Sequence, residues 1–106
     1  DPQKWRNFTS HYSRVFNSNQ LDFDRQLNLI IIWLQGANKL RQNLASGFER
    51  TGLHSRIVSF NEKFPNANIY KIILCIEEVK ALARQNLYMP LILLNMLLDI
   101  QELIYE

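Results

Sequence analysis

The segment from Pro90 to Glu106 limits what this chain can fold into more than any other. Between Leu91 and Leu98 only Asn95 is polar. A surface helix in a globular domain carries one apolar stripe and one polar face. Wound at about 100° per residue, this segment gathers Asn95, Asp99, Glu102 and Glu106 on one narrow arc, and nearly everything else apart from Gln101 is apolar. Leu93, Leu97, Ile100 and Ile104 form one stripe. Leu91, Leu94, Leu98 and Tyr105 form a second on the far side of Gln101. A single stripe is enough to build a bundle. A helix with two must lie at the centre of its domain or be covered by another chain.

The remaining segments are helical by the same periodicity. Asp1 caps a first helix with Pro2 at its first position, and Trp5, Phe8, Tyr12, Val15 and Phe16 recur at helical spacing until the polar run Asn17-Ser18-Asn19-Gln20. Asp22 caps a second helix running to about Ala45, with Phe23, Leu27, Ile30, Ile31, Leu34 and Ala37 on one face and Trp33, Leu40 and Leu44 beside them. The triplet Ile30-Ile31-Ile32 is strand-like alone, but helical periodicity flanks it on both sides. Gly36 inside this helix costs roughly 1 kcal/mol relative to Ala, which points to close contact with a neighbouring helix.

Gly47 and Gly52 bracket a loop. A short helix from about Leu53 to Phe64 follows, with Leu53, Ile57, Phe60 and Phe64 as its stripe, and Pro65-Asn66 stops it. Asn68 caps a fourth helix to about Leu87, facing inward through Ile69, Ile72, Ile73, Ile76, Val79, Ala83 and Leu87. Pro90 opens the fifth. With only three glycines and three prolines, turn chemistry is too sparse for an all-β fold. The expectation is an all-α, compact bundle of about five helices, with residues 1–106 forming a single domain. A chain that begins at Asp1 without Met reads as an excised domain of a longer protein.

Composition and motifs exclude several classes of function. The formal charge is +2. Lys and Arg outnumber acids eight to four up to Phe60, and acids lead six to four after it, a tilt too mild for a dedicated nucleic-acid binder. A single cysteine, Cys75, allows no internal disulfide and fits a reducing, cytoplasmic setting; it borders the apolar face of its helix and reads as a structural thiol. His11, His54 and Cys75 share no metal-ligand spacing, and both histidines read as surface groups. Glu77 and Glu78 are adjacent and diverge on a helix. There is no Gly-rich phosphate loop, no nucleophile elbow and no triad order. The Asn7-Phe8-Thr9 triplet falls on a helix and reads as chance, and the Leu91–Leu98 run is far shorter than the ~20 residues of a membrane span. The chain is therefore expected to hold no catalytic residues, cofactor, metal or small-molecule ligand, and to cross no membrane.

Two surfaces remain as candidates. Lys39, Arg41, Arg50 and Arg56, with His54 among them, gather near the end of the second helix and the loop after it, as weak candidate phosphate contacts without the interleaved aromatics that stack bases. On the fourth helix Tyr70, Leu74 and Ala81 lie opposite the core face among Lys71, Glu77, Glu78 and Gln85. With Leu91, Leu94, Leu98 and Tyr105, the larger two, Tyr70 and Leu74, make a candidate subunit interface, since exposed apolar residues rimmed by polar ones commonly mark partner surfaces.

The order and spacing of the last helices resemble the C-terminal domain of delta-prime subunits of the bacterial DNA polymerase III clamp loader. The resemblance lies in Phe60-Asn61-Glu62-Lys63-Phe64, a polar break, Ile69 to Ile76, then Glu77-Glu78-Val79-Lys80-Ala81-Leu82-Ala83-Arg84-Gln85-Asn86-Leu87, and the Leu-rich Leu91 to Ile100. Upstream, Ile31-Ile32-Trp33-Leu34 followed by basic residues looks like that family's second collar helix. The resemblance covers about residues 20 to 106. It implies an all-helical collar module that joins the corresponding domains of the other clamp-loader subunits in a bacterial cytoplasm, with DNA contacted only weakly or indirectly. The ATP-handling and zinc-binding parts of the loader lie in preceding domains, and none of their residues is present here. Two other functions fit the same residues: an unrelated helical protein-interaction or regulatory module, and a weak helical nucleic-acid-binding domain using the Lys39–Arg56 patch.

Overall fold

Five helices follow one another in the computed structural model, which describes residues 2–85 and 88–105: α1 (Pro2–Ser18), α2 (Gln20–Arg41), α3 (Leu53–Lys63), α4 (Ile69–Ala83) and α5 (Met89–Ile104). No strand occurs among the described residues. The Ile30–Ile32 triplet is helical, as its flanks require. Helices α1, α2, α4 and α5 close a ring in which each packs on two others, and α3 is attached to α2 from outside.

The core of that ring is aliphatic. Phe23, Leu27, Ile31, Leu34 and Ala37 of α2 meet Ile69, Ile72, Ile76 and Val79 of α4, with Met89, Leu93 and Met96 of α5, Phe16 of α1 and Ile57 of α3 completing it. Each is spaced as one face of its helix. Burying a Leu or Ile of this kind is worth about 1.5–3 kcal/mol.

A single extended residue, Asn19, separates α1 from α2. Its side-chain oxygen accepts the Asp22 backbone N–H at 3.2 Å, so Asn19 caps α2 and Asp22 does not. The correction follows from register: an asparagine cap satisfies a free N–H of the first turn, and Asp22 then sits within that turn, where the helix dipole favours an acid. Across the junction Phe16 meets Phe23 edge to face at 5.3 Å. Asn68 caps α4 as expected, accepting Lys71 N–H at 3.2 Å, and its own N–H donates to Leu103 at 3.0 Å, tying the start of α4 to the end of α5.

Helix α2 ends four residues earlier than apolar spacing predicts. Asn43 adopts φ 61°, in the left-handed region, and the backbone N–H groups of Leu44 and Asn43 return to Lys39 and Leu40 at 2.9 and 3.1 Å. This is a Schellman closure with Asn in the position usually held by Gly. Leu44 is consequently exposed rather than packed beside the core. Gly36 is buried against the loop that this turn starts, not against a helix: a Cβ there would lie 2.9 Å from the Phe48 ring and 3.1 Å from the Ser46 carbonyl oxygen. Helix α4 closes at Ala83, with Arg84 and Gln85 in the terminal turn. The expected contributions of Asp1, Leu87 and Glu106 lie outside the described residues.

Candidate functional site

Helix α5 is not the centre of the domain. Only Met89, Leu93 and Met96 are buried on it, and Leu97, Ile100 and Ile104 are half-buried against the core. The second stripe is uncovered: Leu91, Leu94 and Leu98 are exposed and Tyr105 is 72% exposed. The ring geometry explains this. Helix α5 has two neighbours, α1 and α4, and the rest of its surface is left without a helix against it.

The residues singled out on α4 are equally open. Tyr70 is 67% exposed and Leu74 48%. Leu74 shares one shallow hollow between α4 and α5 with Lys71, Cys75, Glu78, Asp99, Glu102 and Leu103. Acids outnumber the single lysine there, which makes the hollow an electronegative site with an aliphatic centre. The Cys75 thiol at its edge is half-buried rather than buried. Desolvation pushes its pKa above the ordinary thiol value, and the charges of Asp99 and Glu78 push it further the same way. A thiol held neutral is a poor nucleophile and a poor metal ligand. Behind this face Lys80 donates to Asn28 of α2 and lies 3.5 Å from Glu77, so Glu77 is engaged and Glu78 faces outward.

The basic candidates separate. Arg41 is not a surface cation: its guanidinium donates to Asn61 Oδ1 at 2.8 Å, to the Ala67 carbonyl at 2.7 Å and to the Phe64 carbonyl at 2.5 Å, and it lies over the Phe60 ring. Burial lowers its pKa from the ordinary arginine value, and arginine stays charged in proteins regardless. Those bonds clamp the end of α3 to the end of α2, so Arg41 leaves the list of phosphate contacts. Lys39, Arg50 and Arg56 remain exposed. His54 is not a plain surface group either, since it is half-buried and its Nδ1 is buried without a hydrogen-bond partner. Among the described residues no three His, Cys, Asp or Glu side chains cluster as metal ligands would, and no helix is long and apolar enough to cross a membrane.

A second apolar surface lies on the opposite half of the sequence, on α2 and α3. A groove of about 690 Å³ runs between Tyr12 of α1, Leu29, Ile32 and Trp33 of α2, Phe48 of the loop, and Leu53 and Arg56 of α3. Leu29 is 64% exposed. The signal was present in Leu29 to Leu34, six consecutive apolar residues, because a helix turning 100° per residue cannot aim six neighbours at one core.

Comparison with protein-family models, curated proteins and solved structures finds no match to this chain.

Proposed function

We propose that this chain is a subunit-assembly domain of the collar type, acting in a clamp loader that places the sliding clamp during bacterial DNA replication. The observation that carries an assembly role is the uncovered second stripe of α5, Leu91, Leu94 and Leu98, together with the exposed Tyr70 and Leu74 on α4. Large aliphatic side chains exposed side by side and rimmed by charge are a partner surface in the making, and covering even one of them contributes on the order of 2 kcal/mol before association costs. The tie to clamp loading in particular comes from the sequence resemblance over about residues 20 to 106. On this reading the partners are the helical collar domains of the other loader subunits, the domain itself carries no catalysis, and DNA is touched weakly through Lys39, Arg50 and Arg56.

The test pairs stability with assembly. Tyr70→Ser with Leu74→Ser, and separately Leu94→Ser with Leu98→Ser, are placed in the full-length parent and in this domain. The expected outcome is a melting temperature of the domain within a few degrees of wild type, and loss of co-purification of the parent with its loader partners. Full retention of the partners by both variants would overturn the assembly role. Association with a different helical protein, with no loader subunit recovered, would favour an unrelated interaction module.

A further inference from the structure

The groove on α2 and α3 and the face of α4 are complementary. The groove is lined almost entirely by apolar side chains, among them Leu29, Ile32, Trp33 and Leu53, with one charged residue, Arg56, at its rim. Arg56 is exposed and makes no hydrogen bond or ion pair among the described residues. The α4 face is its converse: the aromatic Tyr70, the aliphatic Leu74 and the acid Glu78 follow one another at intervals of one helical turn, and Asp99 and Glu102 of α5 beside Leu74 and Glu78 outweigh the one cation there, Lys71. The whole chain repeats this polarity, basic by eight to four up to Phe60 and acidic by six to four after it. The two surfaces share no residue, so a molecule can offer one while using the other.

We infer that the groove takes up the α4 face of a second copy of this chain, with Leu74 seated among Leu29, Ile32 and Leu53 and Glu78 paired to Arg56. The contact is a helix lying in an apolar groove, the mode in which residues one turn apart supply the anchors and a flanking charge sets the register. It is heterologous, joining two different patches, so it extends from copy to copy until a ring closes or the chain of subunits runs on. Apolar burial holds the contact, and the ion pair, at a solvent-exposed rim, governs its rate of formation and its salt sensitivity. The α4 face is shared with the assembly role proposed above, and to that extent the inference rests on it; the groove is not.

Sedimentation velocity of the 106-residue chain over about 10–500 µM reads the association directly. The expected result is a sedimentation coefficient that rises with concentration and falls back on adding salt. Leu29→Ser with Ile32→Ser removes the groove, and Tyr70→Ser with Leu74→Ser removes the face; each variant alone should sediment as a monomer. An equimolar mixture of the two should form a dimer and nothing larger, because only one intact groove and one intact face remain per pair. Arg56→Glu and Glu78→Arg, at exposed positions that the fold does not use, provide the same test without touching packing: each alone should weaken association about three- to fivefold, and both in one chain should restore it. A wild-type chain that stays monomeric throughout, a groove variant that associates like wild type, or a mixture that stays monomeric would each overturn the inference. Loader co-purification separates the two proposals: loss with the α4 variant but not the groove variant, alongside a monomeric wild-type chain, rejects self-association and leaves the assembly role supported.

Discussion

Arg41 shows how much one side chain decides. Its guanidinium donates to the carbonyls of Phe64 and Ala67, which also accept the backbone N–H groups of Ala67 and Ile69 at 3.2 and 3.1 Å, and it fixes Asn61, whose own amide donates to the Ala37 carbonyl at 3.1 Å. No other side chain in the described structure holds α2, α3 and the α4 entry together in this way. Arg41→Ala should therefore cost about 2–3 kcal/mol, since three hydrogen bonds from a charged donor are lost at once. Arg41→Lys should recover only part of it, because an ammonium cannot reproduce the planar fork. Arg50→Ala, at an exposed position, is the control and should cost under about 0.5 kcal/mol. Urea unfolding of the three variants checks the order; equal stability of Arg41→Ala and Arg50→Ala would show that the clamp does not hold α3. From sequence alone, Arg41 is one more cation in a basic cluster. Two of its three partners are backbone carbonyls at 23 and 26 residues' distance, and no residue-type pattern announces a backbone acceptor.

Among the elements, the helices themselves were legible and their ends less so. Apolar spacing placed all five, because period 3.6 is enforced wherever one face must be buried. It overran the end of α2 because Leu40 and Leu44 continue the period while Asn43 breaks it by conformation, a change that a non-glycine residue does not advertise. The loop that follows is held by polar contacts that periodicity cannot register. The Glu49 carboxylate accepts Gly47 N–H at 3.0 Å and Ser46 Oγ–H at 3.0 Å, and the Gly47 N–H is the foremost cause holding it below the usual carboxylate range. This knot presses Phe48 onto Gly36. Gly36→Ala gains about 1 kcal/mol of helix propensity but drives a methyl into the Phe48 ring and the Ser46 carbonyl, and such overpacking costs typically 1–3 kcal/mol. The expected net result is destabilisation of about 1 kcal/mol. In a Phe48→Ala background the ring is gone, and the same substitution should cost less or stabilise. A double-mutant cycle by thermal melting measures that coupling; additive effects would place the conflict elsewhere.

At the scale of the whole molecule, the excess of apolar surface was legible but its distribution was not. A fifth helix with two stripes signals either a central position or a missing cover, and only the ring arrangement decides between them: Leu91, Leu94 and Leu98 face outward because α5 has two helical neighbours, not three. The groove over Leu29 and Ile32 depends on where a loop and α3 land against α2, which is tertiary information. The same arrangement bounds what the molecule can do with DNA. Withdrawing Arg41 leaves Lys39, Arg50 and Arg56 as the exposed cations of the basic cluster. Three phosphate contacts give a log–log dependence of affinity on salt no steeper than about −3 on duplex DNA. Fluorescence anisotropy with a duplex at several salt concentrations should give weak, sequence-independent binding within that slope. A slope much steeper would mean that cations of α1, such as Lys4, Arg6 and Arg14, also reach the backbone, and would favour a nucleic-acid role over an assembly one. Because Arg56 borders the apolar groove as well, any duplex bound through it competes with a helix seated there, so added DNA should lower the self-association measured by sedimentation, and Arg56→Glu should weaken both together.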